Sequence, residues 1–250
     1  MDRPTIVTVP CFSGAPWSLD QLTPLADHPL RTMRLPERLD GIEDYADFVA
    51  EQVADLDEHV LVGDSFGAVV ALALATRRPA GLRGLVLSGG FAANPVTNPL
   101  VKAKVSAARF LPGGLYRQVT LRFHAQSLAS PHDRDGQIPW SQADSRALFL
   151  ENTPWESYVA RAKAAFSADY RDRLQAIEVP TLILTPSYDH LIGEDAANVM
   201  LAGIPDAQEV VLEGTGHMFR FSHPVTYAHA VHNFLETRVE ARTTTDSTTA

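Results

Sequence analysis

Polar and apolar positions along the chain follow two periods that alternate. Short apolar or β-branched runs at residues 5–9, 60–63, 82–88, 179–185 and 208–212 end at turn-forming or charged residues, as buried strands do. Between them the spacing changes to three and four. Ile42, Tyr45, Ala46, Val49, Val53 and Leu56 fall on one helical face, behind an Asp40-Gly41-Ile42-Glu43 start that reads as a capping box. Residues 68–75 are apolar all round and predict a buried helix that stops at Arg77-Arg78-Pro79. Residues 194–203 predict another helix. A last one opens with Pro224 at its first position and buries Tyr227, Val231, Phe234 and Leu235. The order β, α, β, α, β predicts an α/β fold, a parallel sheet with helices on both faces.

Residues 91–178 break that rhythm. They carry helical spacing, no convincing strand, and many of the chain's aromatics, among them Phe91, Phe123, Phe149, Tyr158 and Phe166. The chain therefore divides into a core of residues 1–90 and 179–240 and a helical lid inserted at 91–178. The Thr- and Ser-rich residues 241–250 have nothing to bury and are expected to be a disordered tail.

Composition narrows the class. With 45% apolar and 20% charged residues in 250, the chain reads as a soluble globular protein. A net charge of −9 argues against nucleic acid as a partner. No apolar run approaches the ~18 residues that cross a bilayer, so no membrane partner is expected. The single cysteine, Cys11, excludes an internal disulfide and a Cys-rich metal site. Met1-Asp2-Arg3-Pro4 does not open a signal peptide, and a cytoplasmic location is the expectation.

The chemistry concentrates at Gly63-Asp64-Ser65-Phe66-Gly67, between the strand at residue 60 and the helix at residue 68. A strand that turns into a helix over so few residues crowds its own backbone, and Gly at both flanks removes the Cβ atoms that would clash. Ser65 is left on a strained turn with its hydroxyl exposed, at the positive end of a helix dipole. A serine in a purely structural turn would give the same pentapeptide, so its partners decide the matter. Ligands gather at the C-terminal ends of parallel strands. Two such ends carry the groups a serine nucleophile needs: Asp189 after the strand at 179–185, and His217 after the strand at 208–212. A neutral imidazole takes the hydroxyl proton, and a carboxylate holds the imidazole's tautomer. Glu194 and Asp195 compete with Asp189, but they read as first-turn acids of a helix.

Over nearly its whole length the sequence resembles the α/β-hydrolase superfamily. The resemblance rests on Gly63-x-Ser65-x-Gly67, on Val179-Pro180-Thr181-Leu182-Ile183-Leu184 leading to Asp189, and on Gly216-His217-Met218 before Ser222-His223-Pro224. It implies Ser65 as nucleophile, Asp189 as acid and His217 as base. It also implies backbone N–H groups of Phe66 and Phe12 as an oxyanion hole. The general layout is similar to small-lid carboxylesterases such as the biotin-precursor methyl ester esterase, and C–C bond hydrolases and cofactor-free perhydrolases share it. The chain departs from the pattern at Pro10-Cys11, where His-Gly is usual, and at Pro186, where a Gly is usual. The two strands that often precede the first are absent, which predicts six strands.

The expected activity is hydrolysis of a carboxylic ester or thioester of a small acyl substrate through an acyl-enzyme. The alternatives are a C–C bond hydrolase with the same triad and a ligand receptor without turnover. No cofactor and no metal are expected: His124, His132, His229 and His232 lack a carboxylate or Cys set at ligand spacing and read as surface histidines. Cys11 reads as an inert, half-buried thiol, and Asp64 as facing the crevice. Residues 91–178 hold eleven basic and eight acidic side chains, so the lid is +3 and the remainder −12. That asymmetry raises the expectation of an anionic or carrier-bound acyl substrate.

Overall fold

A computed structural model describes residues 3–18, 23, 25–96 and 99–241. Its centre is a single sheet of β1 (Thr5–Val9), β2 (Leu30–Thr32), β3 (His59–Asp64), β4 (Leu82–Ser88), β5 (Thr181–Pro186) and β6 (Ala207–Leu212). The spatial order is β2-β1-β3-β4-β5-β6, and every neighbouring pair is parallel. Five strands coincide with the apolar runs. The sixth, β2, is three half-buried residues, Leu-Arg-Thr, too short to show any period.

Strand periodicity sorts the core into two faces. Val7, Val9, Leu61, Leu85, Leu87 and Ile183 meet α1 (Ile42–Val53), α2 (Phe66–Ala75) and α8 (Glu194–Gly203) on one side. Ile6, Val60, Val62, Val86, Leu182 and Leu184 meet α10 (Pro224–Phe234) on the other. Each such aliphatic side chain contributes about 1.5–3 kcal/mol by leaving water. The α1 start lies one residue beyond the sequence expectation. Gly41 is the cap, and the Asp44 carboxylate accepts from the N–H groups of Asp40 and Gly41. Glu43 faces outward instead, paired with Arg77 and Arg173.

Between β4 and β5 the chain is helical. It comprises α3 (Pro99–Ala107), α4 (Leu121–Leu128), α5 (Pro131–Arg134), α6 (Gln142–Asn152) and α7 (Trp155–Ser167), with short 3-10 and π turns. An isolated antiparallel bridge between Ala93 and Asp169 brings its two ends together. Tyr116, Leu121, Leu128, Phe149, Tyr158 and Ala162 of this segment share one apolar cluster with Cys11 and Met218 from strand-end loops and with Phe221 just beyond the second of them. The helices thus lie over the C-terminal edge of the sheet. Of the expected tail, Ala241 ends the final helical turn and residues 242–250 lie outside the described residues.

Candidate active site

The chain leaves β1 toward β2 on one side and returns to β3 on the other, which opens a crevice beyond the strand ends between β1 and β3. Ser65 sits there, between β3 and α2, with φ +53° and ψ −113°. A non-glycine residue at positive φ is strained by roughly 1–3 kcal/mol, and surrounding contacts must hold it. The Ser65 N–H donates to the Ser88 carbonyl at 2.7 Å, and the Ser65 carbonyl accepts from Ala68 and Val69. The flanking glycines are required by contact. A Cβ on Gly63 would lie 2.5 Å from the Gly67 carbonyl oxygen, and one on Gly67 would lie 2.2 Å from that of Val9.

The structure brings Ser65, His217 and Asp189 into one hydrogen-bonded line. Ser65 Oγ is 3.0 Å from His217 Nε2, and His217 Nδ1 is 2.7 Å from Asp189 Oδ2. Asp189 Oδ1 accepts from the N–H groups of Leu191 and Ile192 at 2.9 and 3.0 Å, which fixes the carboxylate. Burial pushes the Asp189 carboxyl up, but His217 and those two N–H groups outweigh it and hold it below the ordinary value. Burial likewise pushes His217 down, and Asp189, with Asp64 and Asp133 behind it, outweighs that and lifts the imidazole above the ordinary histidine value. Nδ1 donates to the carboxylate and Nε2 is left to accept from the serine hydroxyl. The arrangement can move a proton from Ser65 to His217. Asp195, weighed as an alternative acid, lies in the first turn of α8.

The loop after β1 reaches over the elbow. Its turn is closed by Gly14 N–H donating to the Cys11 carbonyl. Cys11 is buried against Ser13, and burial above all raises its thiol. No acceptor among the described residues engages the N–H groups of Phe12 and Phe66, so both remain free to bind an anion. The Phe12 and Phe66 rings meet edge to face at 5.8 Å. Arg161 of α7, which sequence reasoning treated only as lid charge, holds this loop. Its guanidinium donates to the carbonyls of Phe12, Ser13, Leu35 and Pro36 and has no carboxylate partner among the described residues. Its signal was faint: an arginine three residues after Tyr158 on a face otherwise rich in alanine.

Two more buried groups brace the site. Asp64 borders the crevice, as expected, but not as a free acid. Arg220 of α9 (Phe219–Ser222) donates to it through Nε at 2.7 Å, with the guanidinium stacked between Trp17 and Phe221. Asp133 of α5 accepts from the N–H groups of Gly216 and Met218, on either side of His217, and from the Ser222 hydroxyl. Burial dominates in raising the Asp133 carboxyl, against those donors. Separations of 83–156 residues within these contacts left no local pattern to read.

Ser65 and His217 open into a cavity of about 450 Å³. Phe91, Val96, Val105, Leu128, Phe149 and Phe166 line it from the helical segment, and Ile192, Met218 and Phe221 from the core. Among the described residues no Lys or Arg lines it. The basic residues Arg122, Arg134 and Arg146 face a separate outer groove. His124, expected at the surface, is one of the cavity's walls. The reason is the neighbouring ring set: Phe12, Phe149 and Tyr158 enclose the imidazole. His132 is stacked on Tyr188 at 3.7 Å.

Among curated proteins, a 2-hydroxy-6-oxononadienedioate/2-hydroxy-6-oxononatrienedioate hydrolase from Pseudomonas putida is 30% identical over 185 residues, 71% of this chain and 62% of the relative. The chain's match spans 62–63% of the length of three further curated relatives. Among solved structures, the enol-lactonase from Burkholderia xenovorans LB400 superposes with a TM-score of 0.78 at 19% identity, covering 94% of this chain and 92% of that one. A thermophilic esterase from Thermogutta terrifontis gives 0.77 at 20% identity, with 94% and 90% covered. Both share the fold. The family model described as alpha/beta hydrolase family matches residues 6–230, from β1 through the elbow, the acid loop and His217 into the last helix, and the chain belongs to that family.

Proposed function

We propose that this protein is a serine hydrolase that cleaves a carboxylic ester or thioester of a small acyl substrate through an acyl-enzyme. The observation that carries the reading is the line Ser65–His217–Asp189, opening on an apolar cavity beside two free backbone N–H groups. Ser65 Oγ attacks the carbonyl carbon while His217 Nε2 takes its proton. The N–H groups of Phe66 and Phe12 then stabilise the oxyanion. His217 returns the proton to the leaving alcohol or thiol, then activates the water that releases the acid. Residues 91–178 act as a lid that covers the acyl group with apolar side chains.

The cavity favours a neutral acyl group. Moving a carboxylate into a lining without Lys or Arg leaves it unpaired, which costs several kcal/mol. A C–C bond hydrolase would use the same triad. The name of the Pseudomonas relative describes a dioate substrate, and a dianion finds no counter-charge in this lining.

The test is a series of neutral p-nitrophenyl esters and acyl thioesters of graded chain length, with fluorophosphonate labelling mapped by peptide mass spectrometry. We expect turnover, one label on Ser65, and a loss of about 10⁴-fold or more in kcat for Ser65→Ala. Labelling at another serine, or tight binding with no steady-state turnover, sinks the reading; the second result is that of a receptor.

A further inference from the structure

The polar groups of the cavity wall that the triad and its braces leave unused are those of Cys11, Asn94, His124, Ser127, Tyr158 and His190. His124 differs from the rest in how it is built in. Its ring sits on α4, 5.2 Å from the Phe12 ring, 4.7 Å from Phe149 and 5.4 Å from Tyr158, centroid to centroid. Aromatic neighbours on three sides fix its orientation. Nδ1 lies 3.4 Å from the Tyr158 hydroxyl. Nε2 makes no hydrogen bond among the described residues, and with Nδ1 turned to Tyr158 it is the ring nitrogen left to the cavity that His124 lines.

Tautomer follows from hydrogen-bond accounting. The Tyr158 hydroxyl is buried and has no other partner among the described residues. Its proton needs an acceptor, since a buried donor left unmade costs about 1–3 kcal/mol. Nδ1 is the acceptor available, so Tyr158 donates to it and the ring proton sits on Nε2. Burial, together with His217 nearby, brings the imidazole down to about 4, so the ring is neutral at neutral pH. A neutral N–H donor set in an apolar wall recognises an uncharged acceptor. It offers a carboxylate no compensating charge.

We propose that His124 Nε2–H is a specificity subsite for a neutral oxygen acceptor, an ether, ketone or ester oxygen, carried on the acyl group near the scissile carbonyl. The position follows from Phe12: the residue whose N–H faces the oxyanion is the one whose ring packs on His124. The acyl group that satisfies this site is apolar along most of its length and carries one further oxygen. Its discrimination against the matching hydrocarbon comes from leaving the Nε2–H unpaired when that oxygen is missing. This inference rests on the reading of the cavity as an acyl pocket.

The experiment uses the Ser65→Ala protein, so that binding is read whether or not the wild type hydrolyses esters. The ligands are p-nitrophenyl 3-methoxypropanoate and p-nitrophenyl pentanoate, equal in length and differing by one oxygen for one CH₂. Affinities come from quenching of tryptophan fluorescence by the nitrophenyl group. We expect the ratio of the two Kd values to shift by about 5- to 30-fold against the ether ligand on adding His124→Phe, which keeps ring size and removes the donor. His124→Gln, which restores a donor, should recover at least part of that ratio. Long-range ¹H–¹⁵N spectra of the Ser65→Ala protein should show the His124 Nε2 signal move with the ether and not with the pentanoate. A ratio unchanged in His124→Phe overturns the subsite, as does failure of both ligands to bind the cavity. Absent turnover in the wild type, with the ratio shifted as expected, overturns only the hydrolase reading.

Discussion

At the scale of single residues, His217 sets the pH dependence. In the proposed reaction only the neutral imidazole accepts the Ser65 proton, so the protonated form would be inactive. Burial opposes the charge, yet Asp189 prevails and raises the imidazole above the ordinary histidine value. The sign is therefore fixed: kcat/KM rises with pH, and its midpoint lies above 6.5. Asp189→Asn removes the carboxylate that favours the imidazolium and the tautomer. It should lower kcat by about 10⁴-fold while urea unfolding changes little, because the Leu191 and Ile192 N–H groups keep a side-chain oxygen to bond. A midpoint below the ordinary histidine value, or near-normal kcat in Asp189→Asn, refutes this assignment. Ser65, Asp189 and His217 were legible in the sequence because each stands at a strand exit, where backbone geometry forces Gly and turn residues around it. The pairing of Asp64, which does border the cavity, and the enclosure of His124 were illegible for the opposite reason. Their environments are made by Arg220, 156 residues on, and by rings from three other segments, and no local spacing encodes either.

At the scale of elements, the strands and the long amphipathic helices were legible wherever burial imposed a period. β2 was not, being too short for one, and the α1 cap slipped by a residue because Asp44 as well as Glu43 stands where a carboxylate can reach back to a cap N–H. The contacts that tie the helical segment to the core were also illegible, and they carry a prediction. Arg161 reaches from α7 to four carbonyls in the β1 loop and the 35–36 segment, and a Cβ on Gly14 would lie 2.4 Å from its guanidinium. The loop that presents the Phe12 N–H is thus held by a helix of the insertion. Arg161→Met keeps the apolar stem and removes every one of these donors. Loss of one aligned oxyanion donor lowers kcat by about 10²–10³-fold. Loosening one should lie somewhat below that, so at least about tenfold is expected, with KM within about threefold. Arg161→Lys should recover part of it. The measurement is steady-state kinetics well below the melting temperature, with fluorophosphonate labelling rates as a second readout. Full kcat in Arg161→Met would show that the loop holds its shape unaided.

At the scale of the whole molecule, charge is distributed differently from what a count along the chain suggests. The helical segment is +3 on a body of −12, an asymmetry that can steer anions. One of its cations, Arg161, is buried in carbonyls, while Arg171 and Arg173 pair with Asp169 and Glu43. Among the described residues, Arg122, Arg134 and Arg146 line an outer groove without a carboxylate partner, and the cavity wall contains no Lys or Arg. Basic side chains without a carboxylate partner therefore lie outside, and among the described residues the cavity is uncharged apart from the site itself. Two opposite effects follow for substrates of equal length. A p-nitrophenyl ester ending in a carboxylate should be attracted to the surface yet resisted by the chamber. Its kcat/KM should lie at least about tenfold below that of the neutral ester, since an unpaired buried carboxylate costs several kcal/mol. The neutral ester should be flat between about 20 and 300 mM salt, whereas an acyl group on a large acidic carrier, whose charge stays outside, should lose kcat/KM over that range. Arg122→Glu with Arg146→Glu should reproduce the carrier's loss at low salt and leave the neutral ester unchanged. A short carboxylate ester turned over as well as its neutral counterpart would mean that a cation enters the chamber, and the division of labour between groove and cavity would fall.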